Sequence, residues 1–473
     1  MKMYKKVFAI LMVFTMAFTL LTGCGKEEKG TKTSKNSENS STKQESSKGE
    51  KSDDAQAGDE VTMDTIEVWT NNASTKEEDE KMIADFNEGK GKELGIQINY
   101  KIYGGDYADV LAIALAAEEG PDLFKVPQTN LAQYAETGFI TPITKYPGGQ
   151  EFVDTYGDAL QSNYNIILGD VYTVPHTIST IGVAYNKDLL AKNGYNEPPK
   201  TWTELKEMAD TITKNGNGKE FGFIEGLKST GYVGVNGLWH YVSSVGHSEF
   251  DPVTGKFDFA SMTPFVQLLA DMYDNGDWFP GVEGLNNDAA RAQFAEGNIG
   301  FKLSASWDAG VWQDQFPAKM DWGICRPVFD LDNTYMDYTW QTHSLALGAS
   351  AMEKPEKALE VLKLFVSDDA TRVLYENGKA IPAKASVIET AKMEPTTKNF
   401  DQFADMSNSK LYPLNPKGML KVEGETMETI LLKALLGAVP ADEAMADLDK
   451  RYNEALDRAV ADGLDLTLYT ETN

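Results

Sequence analysis

Apolar positions recur along this chain at two spacings, near two and near 3.6 residues, and together they lay out an α/β body from residue 62 onward. Ile66, Val68 and Trp69 form a short apolar strand that runs into the polar turn Thr70-Asn71-Asn72. A helix is predicted next, with Ser74 as N-cap and Glu77 three residues on, the spacing of a reciprocal capping box. Met82, Ile83 and Phe86 supply its inner face and Gly89 its stop. Ile96, Ile98, Tyr100 and Ile102 alternate as a strand up to Gly104-Gly105. A second helix over residues 106–117 ends at Gly120-Pro121, and Leu123-Phe124-Lys125-Val126 reads as the following strand. This succession predicts a parallel sheet with crossover helices. Open sheets of that kind gather ligands at the carboxyl ends of their strands, which puts Trp69, Asn71 and Pro127-Gln128 at one edge.

Ahead of the body the pattern changes. Lys2, Lys5 and Lys6 precede an apolar run over residues 7–20, and Leu21-Thr22-Gly23-Cys24 follows. A basic start, a short apolar stretch and a small-residue end are the layout of a secretory signal. The run is shorter than the roughly 20 residues of a comfortable membrane span. Its Leu-x-Gly-Cys ending resembles the bacterial lipobox, which implies that residues 1–23 are removed and that Cys24 carries diacyl lipid as the first mature residue. The alternative is an ordinary signal peptide with an incidental cysteine. Residues 26–60 are dominated by Lys, Glu, Ser, Thr, Asn, Gly and Asp and contain no aromatic residue. Such a segment buries too little apolar surface to offset its ordering entropy, so residues 24–60 are expected to be a lipidated cysteine on a disordered tether. As a flexible coil it would span roughly 30–35 Å, a reach suited to a cell with one membrane and a wall.

The body beyond the tether is too long for one ordinary domain, so two lobes are the default. The whole chain's formal charge of −28 repels nucleic acid and anionic lipid, which argues against both as partners, while solubility alone is a sufficient reason for it. Cys24 and Cys325 are the only cysteines. With Cys24 acylated no disulfide is expected, and Cys325 reads as a small buried apolar residue.

The most specific segment is Val174-Pro175-His176-Thr177 followed by Ile181-Gly182-Val183-Ala184-Tyr185-Asn186-Lys187-Asp188-Leu189-Leu190 and then Pro198-Pro199-Lys200-Thr201-Trp202-Thr203-Glu204-Leu205. It reads as a strand passing between lobes, a turn begun by Asn186, and a helix capped by Thr201. These motifs resemble the extracellular solute-binding proteins of bacterial ABC importers, in the sugar-binding group typified by maltose-binding proteins. Pro121-Asp122-Leu123-Phe124, the Phe294–Phe301 stretch before Ser306-Trp307, Glu356-Lys357-Ala358 and Gly378-x-x-Ile381-Pro382 follow the same family order across nearly all of residues 62–473. The chain departs from the family pattern at His176, where an apolar residue is usual, and at Ala184, where a large apolar residue is usual.

The resemblance implies a two-lobed periplasmic-binding-protein type II fold of the α/β class, with crossing hinge strands and a ligand cleft between the lobes. The first lobe is expected over 62–178 and 341–390, the second over 182–338 and 391–473. The first crossing is expected near Thr177–Ile181 and the return near Trp340–Ser344. Such hinges absorb the rotation while the lobes stay rigid, and a ligand that touches both lobes favours closure. The partners implied are a carbohydrate ligand and the membrane permease of an importer, with the chain itself a monomer.

Sugars need paired donors and acceptors for their hydroxyls and aromatic faces for their C–H surfaces. Trp69 and Trp307 are the first candidates for platforms, then Trp239 and Trp340; the alternative for each is core packing. Trp202, Trp278, Trp312 and Trp322 read as structural. Asn71, Gln128, His176, Thr177, Asp308, Arg326 and His343 are the polar candidates. For His176 the alternative is a satisfied histidine between strands. Arg326 is suited to clamping an acidic sugar or to pairing with one of many carboxylates.

A glycoside hydrolase would use two carboxylates about 5–10 Å apart, but 72 acidic residues make such pairs uninformative. No Gly-x-Ser-x-Gly elbow, His-Glu-x-x-His site or phosphate loop occurs. Four scattered histidines are a poor basis for a metal-importer site, although His176 and His343 could converge at the hinge. An adhesive lipoprotein would need no crossover motif. The expectation is therefore a non-catalytic receptor without cofactor or metal, held outside the cytoplasmic membrane; a receptor of the same fold for a non-sugar solute is the alternative.

Overall fold

The computed structural model describes residues 62–470 apart from 105, 128–129, 163, 229–247, 329–336, 343, 407–408 and 414. Strand β1 (Asp64–Thr70) pairs in parallel with β2 (Ile96–Ile102) along its whole length, joined by helix α1 (Lys76–Glu88). Helix α2 (Tyr107–Ala116) leads to β3 (Leu123–Lys125), which lies parallel on the other side of β1. Alternation along β1 buries Ile66 and Val68 completely on one face, against Ile83, Phe86 and the apolar side of a late helix. The opposite face carries Phe124, Leu111 and Tyr134 in a second cluster.

The start of α1 differs from expectation. Ser74 sits in a short 3₁₀ turn, Ala73–Thr75, and the helix opens at Lys76 behind Thr75 with no side-chain cap. The Thr75 hydroxyl donates instead to Asp79 (2.7 Å), which also accepts from Tyr100 on β2 (2.8 Å). A buried carboxylate with two hydroxyl donors outcompetes the local cap, because leaving it unpaired would cost more than the cap contributes.

The chain then crosses. Strand β4 (Thr177–Ser179) is separated by Thr180 alone from β5 (Ile181–Asn186). Asn186 ends β5 and caps the next turn by accepting from Leu189 N (3.0 Å), while its amide donates to Gly297 O (2.9 Å). Helix α3 (Trp202–Gly216) has the predicted Thr201 cap: its hydroxyl accepts from Glu204 N (3.1 Å) and Glu204 reaches back to Lys200 N (2.6 Å). Gly222 lets α3 lie directly on β6 (Phe221–Ile224), since a Cβ there would fall 2.4 Å from Ala209 O. Helices α4 (Thr263–Asp274) and α5 (Asn287–Ala295) precede β7 (Ile299–Ala305), every residue of which is buried. With β8 (Trp322–Cys325) these strands form a sheet of order β8-β5-β7-β6. Trp202, Trp278, Trp312, Trp322 and Cys325 are all buried in its core, as expected.

Strand β9 (Asp337–Thr342) runs antiparallel to β4, Trp340 opposite Ser179 and Thr342 opposite Thr177. Two residues later β10 (Leu345–Leu347) adds antiparallel to β3 in the first sheet, whose order is β10-β3-β1-β2. Two strands that cross side by side thus connect two separately cored sheets. Helix α6 (Pro355–Phe365) returns to the first core; α7 (Asp368–Glu376) follows it, and its Tyr375 meets Phe400 of the second. Strand β11 (Ile381–Pro382) pairs with β4, and β12 (Ser409–Leu411) with β9. Helices α8 (Met427–Leu435) and α9 (Ala441–Ala461) close the second core against α4.

Candidate functional site

At the carboxyl edge of the first sheet Trp69 ends β1 half-buried, its ring 4.9 Å from that of Tyr103 at an interplanar angle of 51°. Tyr107 continues the ledge, 6.0 Å from Tyr103. Its hydroxyl lies 3.1 Å from Trp69 O and 2.7 Å from Lys125 O, so one shared proton ties the ends of β1 and β3, and burial raises that phenol. Lys101 stands over the Trp69 ring at 5.4 Å and pairs with Glu67 at 2.9 Å. Asn71 is exposed, and its carbonyl closes the turn to Ala73. The inward amide is the next residue: Asn72 Oδ1 accepts from Lys125 Nζ at 2.7 Å. Burial lowers the Lys125 ammonium to about 8, because desolvation disfavours the charged form. Asn72, Tyr103, Tyr107 and Lys125 were not among the sequence candidates, although a lysine inside an apolar strand was a visible signal.

On the crossing strands His176 is buried just before β4, and its carbonyl accepts from Ala383 N (2.9 Å). Thr177 donates to Thr342 O across the ladder (2.9 Å). Gln341 and Asn165 exchange amide hydrogen bonds of 2.8 and 3.2 Å beside it. Trp340 stacks on Tyr412, centroids 5.5 Å apart and planes within 26°.

In the second sheet Trp307 is half-buried at the turn after β7. The turn is braced from below. Asp308 is 1% exposed; one oxygen accepts from Ser304 Oγ (3.0 Å) and Ala305 N (3.2 Å), and the other lies 2.5 Å from Arg291 Nη2 on α5. Beneath it Lys302 and Glu225 form a pair with side chains 0% and 2% exposed, at 3.1 Å. Lys302 spends its three donors on both Glu225 oxygens and Leu303 O (2.9 Å). Burial raises the Glu225 carboxyl, and Lys302 pulls it back. Ser306 N donates to Thr180 O (3.0 Å), fastening this turn to the first crossing.

The sequence candidates therefore fall in three places. Trp69 and Asn71 lie at the first sheet edge, His176, Thr177 and Trp340 on the crossing strands, and Trp307 with Asp308 at the braced turn. Asp308 is committed to internal partners, and Arg326 donates to Gln402 O (2.9 Å) and Phe403 O (3.1 Å). Gln128, Trp239, His343 and Cys24 lie outside the described residues. Among the described residues no three His, Cys, Asp or Glu side chains group as metal ligands, and no helix is long and apolar enough to cross a membrane.

Two α/β lobes with crossing strands between them define a clam-shell binding fold. Residues 72–372 match the family model of the bacterial extracellular solute-binding proteins, and the chain belongs to that family. It is 23% identical to the diacetylchitobiose binding protein of Streptomyces coelicolor over 86% of this chain and 94% of that one. It is 21% identical to the maltooligosaccharide ABC transporter solute-binding lipoprotein of Streptococcus pneumoniae, over 75% of this chain and 81% of that one. Among solved structures, the GacH receptor of Streptomyces glaucescens, studied unliganded and with acarbose, superposes with a TM-score of 0.67 at 19% identity, covering 83% of this chain and 98% of that one. The chain thus has the two-lobed architecture of this family, with the ligand cleft between the lobes.

Proposed function

We propose that this protein is an extracellular receptor that binds a mono- or oligosaccharide between its lobes and delivers it to the permease of an ABC importer, without chemical change. The observation that carries the reading is the half-buried Trp69–Tyr103 pair at the carboxyl edge of β1, an aromatic ledge beside polar groups where open α/β sheets take their ligands. The carbohydrates named for the relatives support the same class of ligand. Trp69 and Trp307 serve as platforms from the two lobes, with His176, Thr177, Trp340 and Asn71 supplying polar contacts and Gln128, Trp239 and His343 completing the rim. Asp308 and Arg326 act through what they hold rather than by direct contact.

The lobes comprise 62–178 with 341–390 and 182–338 with 391–473. Acylation of Cys24 anchors the chain, and residues 26–60 act as the tether, raising the local concentration of loaded receptor near its permease. The receptor works as a monomer.

Thermal-shift screening of a form lacking residues 1–60 against a sugar panel tests the reading. A stoichiometric shift with a glycan that is recovered intact is expected. Shifts with peptides or other solutes and none with any glycan would sink the sugar assignment; turnover of a glycoside would revive a hydrolase.

A further inference from the structure

We infer that the sugar this receptor takes carries a carboxylate, as hexuronic acids do, and that Lys125 with Asn72 at the carboxyl edge of the first sheet is the subsite that receives it. The inference rests on the carbohydrate reading above and adds the ligand's charge to it.

The placement comes from the ladder. Lys125 ends β3 opposite Leu345 of β10, on the face that Leu123 and Leu347 bury in the first core. It continues that face past the last apolar layer, to where β1 has ended and Asn72 begins the loop. There its ammonium has one hydrogen-bond partner among the described residues, the Asn72 carboxamide, and no carboxylate. That is unusual company in this chain, where acidic residues outnumber basic ones by 72 to 44. Three other buried or half-buried cations near strand ends are matched by carboxylates: Lys302 with Glu225, Arg291 with Asp308, Lys354 with Asp122. An ammonium has three donors, so two remain for oxygens from outside the protein.

A second uncommitted polar group lies at the same edge. Ser344 faces Val126, whose N–H donates to its carbonyl (3.0 Å), and its hydroxyl is buried with no hydrogen-bond partner among the described residues. A buried hydroxyl without a partner costs stability unless a ligand satisfies it. By strand alternation Ser344 lies on the Trp69–Tyr103 face of the sheet and Lys125 on the opposite one, so a sugar ring on the aromatic ledge would meet the Ser344 hydroxyl on its own face and reach Lys125 across the carboxyl edge. One unmatched positive charge balances one carboxylate. A phosphate dianion would call for a second cation, and the nearby Lys101 is already paired with Glu67.

The test is calorimetric titration of the full-length chain in detergent with matched oligosaccharides of hexoses, hexuronic acids and hexose phosphates. Wild type, Lys125→Met and Lys125→Arg are compared. The hexuronic ligand should bind about tenfold or more tighter than its neutral counterpart, the worth of one charge-assisted hydrogen bond. Lys125→Met should abolish that preference, weakening the hexuronic ligand about tenfold more than its neutral counterpart, and Lys125→Arg should keep part of it. Equal affinity of wild type for neutral and acidic sugars overturns the inference, as does equal weakening of both by Lys125→Met. A preference for the phosphate overturns the carboxylate assignment. Binding of no sugar alongside binding of another solute overturns the carbohydrate reading itself. Should Lys125→Met fail to fold, the wild-type ranking and the arginine variant still decide.

Discussion

The edge that carries Trp69 and the turn that carries Trp307 each hold an aromatic ring half-buried at the end of a strand, yet they use charge in opposite ways. Under Trp307, two cations and two carboxylates are buried and matched, and the backbone of the turn hangs from Asp308. At Trp69 the support is phenolic and amide: Tyr107 bridges two carbonyls, and the half-buried lysine there is left facing an amide. A charge matched inside the protein is spent on holding shape. A charge without an internal counterpart keeps its interaction energy available for something outside. The difference separates a rigid wall from a receptive one.

The largest effect expected from disturbing this contrast is at the braced turn. Lys302→Met leaves Glu225 buried and unpaired and should cost about 3–5 kcal/mol in urea unfolding. The double change Lys302→Met with Glu225→Leu should recover most of that loss. A single variant as stable as wild type would show that the pair braces nothing. Next in size, Trp307→Ala should weaken the identified ligand by about 2–3 kcal/mol in calorimetric titration, the scale of a tryptophan anchor. Unchanged affinity would remove Trp307 from the site.

The braced lobe has one exception that sharpens the rule. Asp277 is 1% exposed, one carboxyl oxygen lacks a hydrogen-bond partner among the described residues, and burial together with nearby Asp210 pushes its pKa up to about 6. A carboxyl raised in the folded state binds its proton more tightly there than in the unfolded chain. Its contribution is therefore favourable at low pH and is lost as pH climbs from near 4 through 6. Asp277→Asn should accordingly gain about 1–2 kcal/mol over wild type between pH 4 and 7. A constant difference across that window would contradict it.

The smallest effect is the most telling for the comparison. Where Lys302→Met destabilises, Lys125→Met should change stability at pH 7 by no more than about 1 kcal/mol, because relief of desolvation and loss of the Asn72 bond oppose each other. Burial lowers the folded-state value from 10.5 to about 8, so the charged lysine subtracts stability below pH 8. That penalty fades as pH rises towards 10.5, and any advantage of the methionine should fade with it. A large loss at pH 7 would make Lys125 a structural brace like Lys302.

Much of the framework is legible in the sequence. The β1–α1–β2 unit follows from Ile66, Val68, Ile83, Phe86, Ile96 and Ile98, and the caps at Asn186 and Thr201 from residues three positions away. Ser74 has the capping-box spacing, but the helix opens behind Thr75, whose hydroxyl bonds to Asp79 alongside Tyr100, a donor distant in sequence. Asp308 and Arg326 have polar side chains at loop positions, which is all a local reading can see. Their partners, Arg291 and the carbonyls of Gln402 and Phe403, come from other elements. Lys125 stood in plain view within an apolar strand, but its significance lies in what does not surround it.

The chain's own order of residues determined the strands, the helices and most of their caps, because periodicity and capping act over a turn or a pleat and need no partner from afar. Which charges are spent and which are left open was decided only by the tertiary structure. That Lys302 meets Glu225 and Lys125 meets Asn72 depends on residues 77 and 53 positions apart being brought together by the fold, and burial then sets what each meeting is worth.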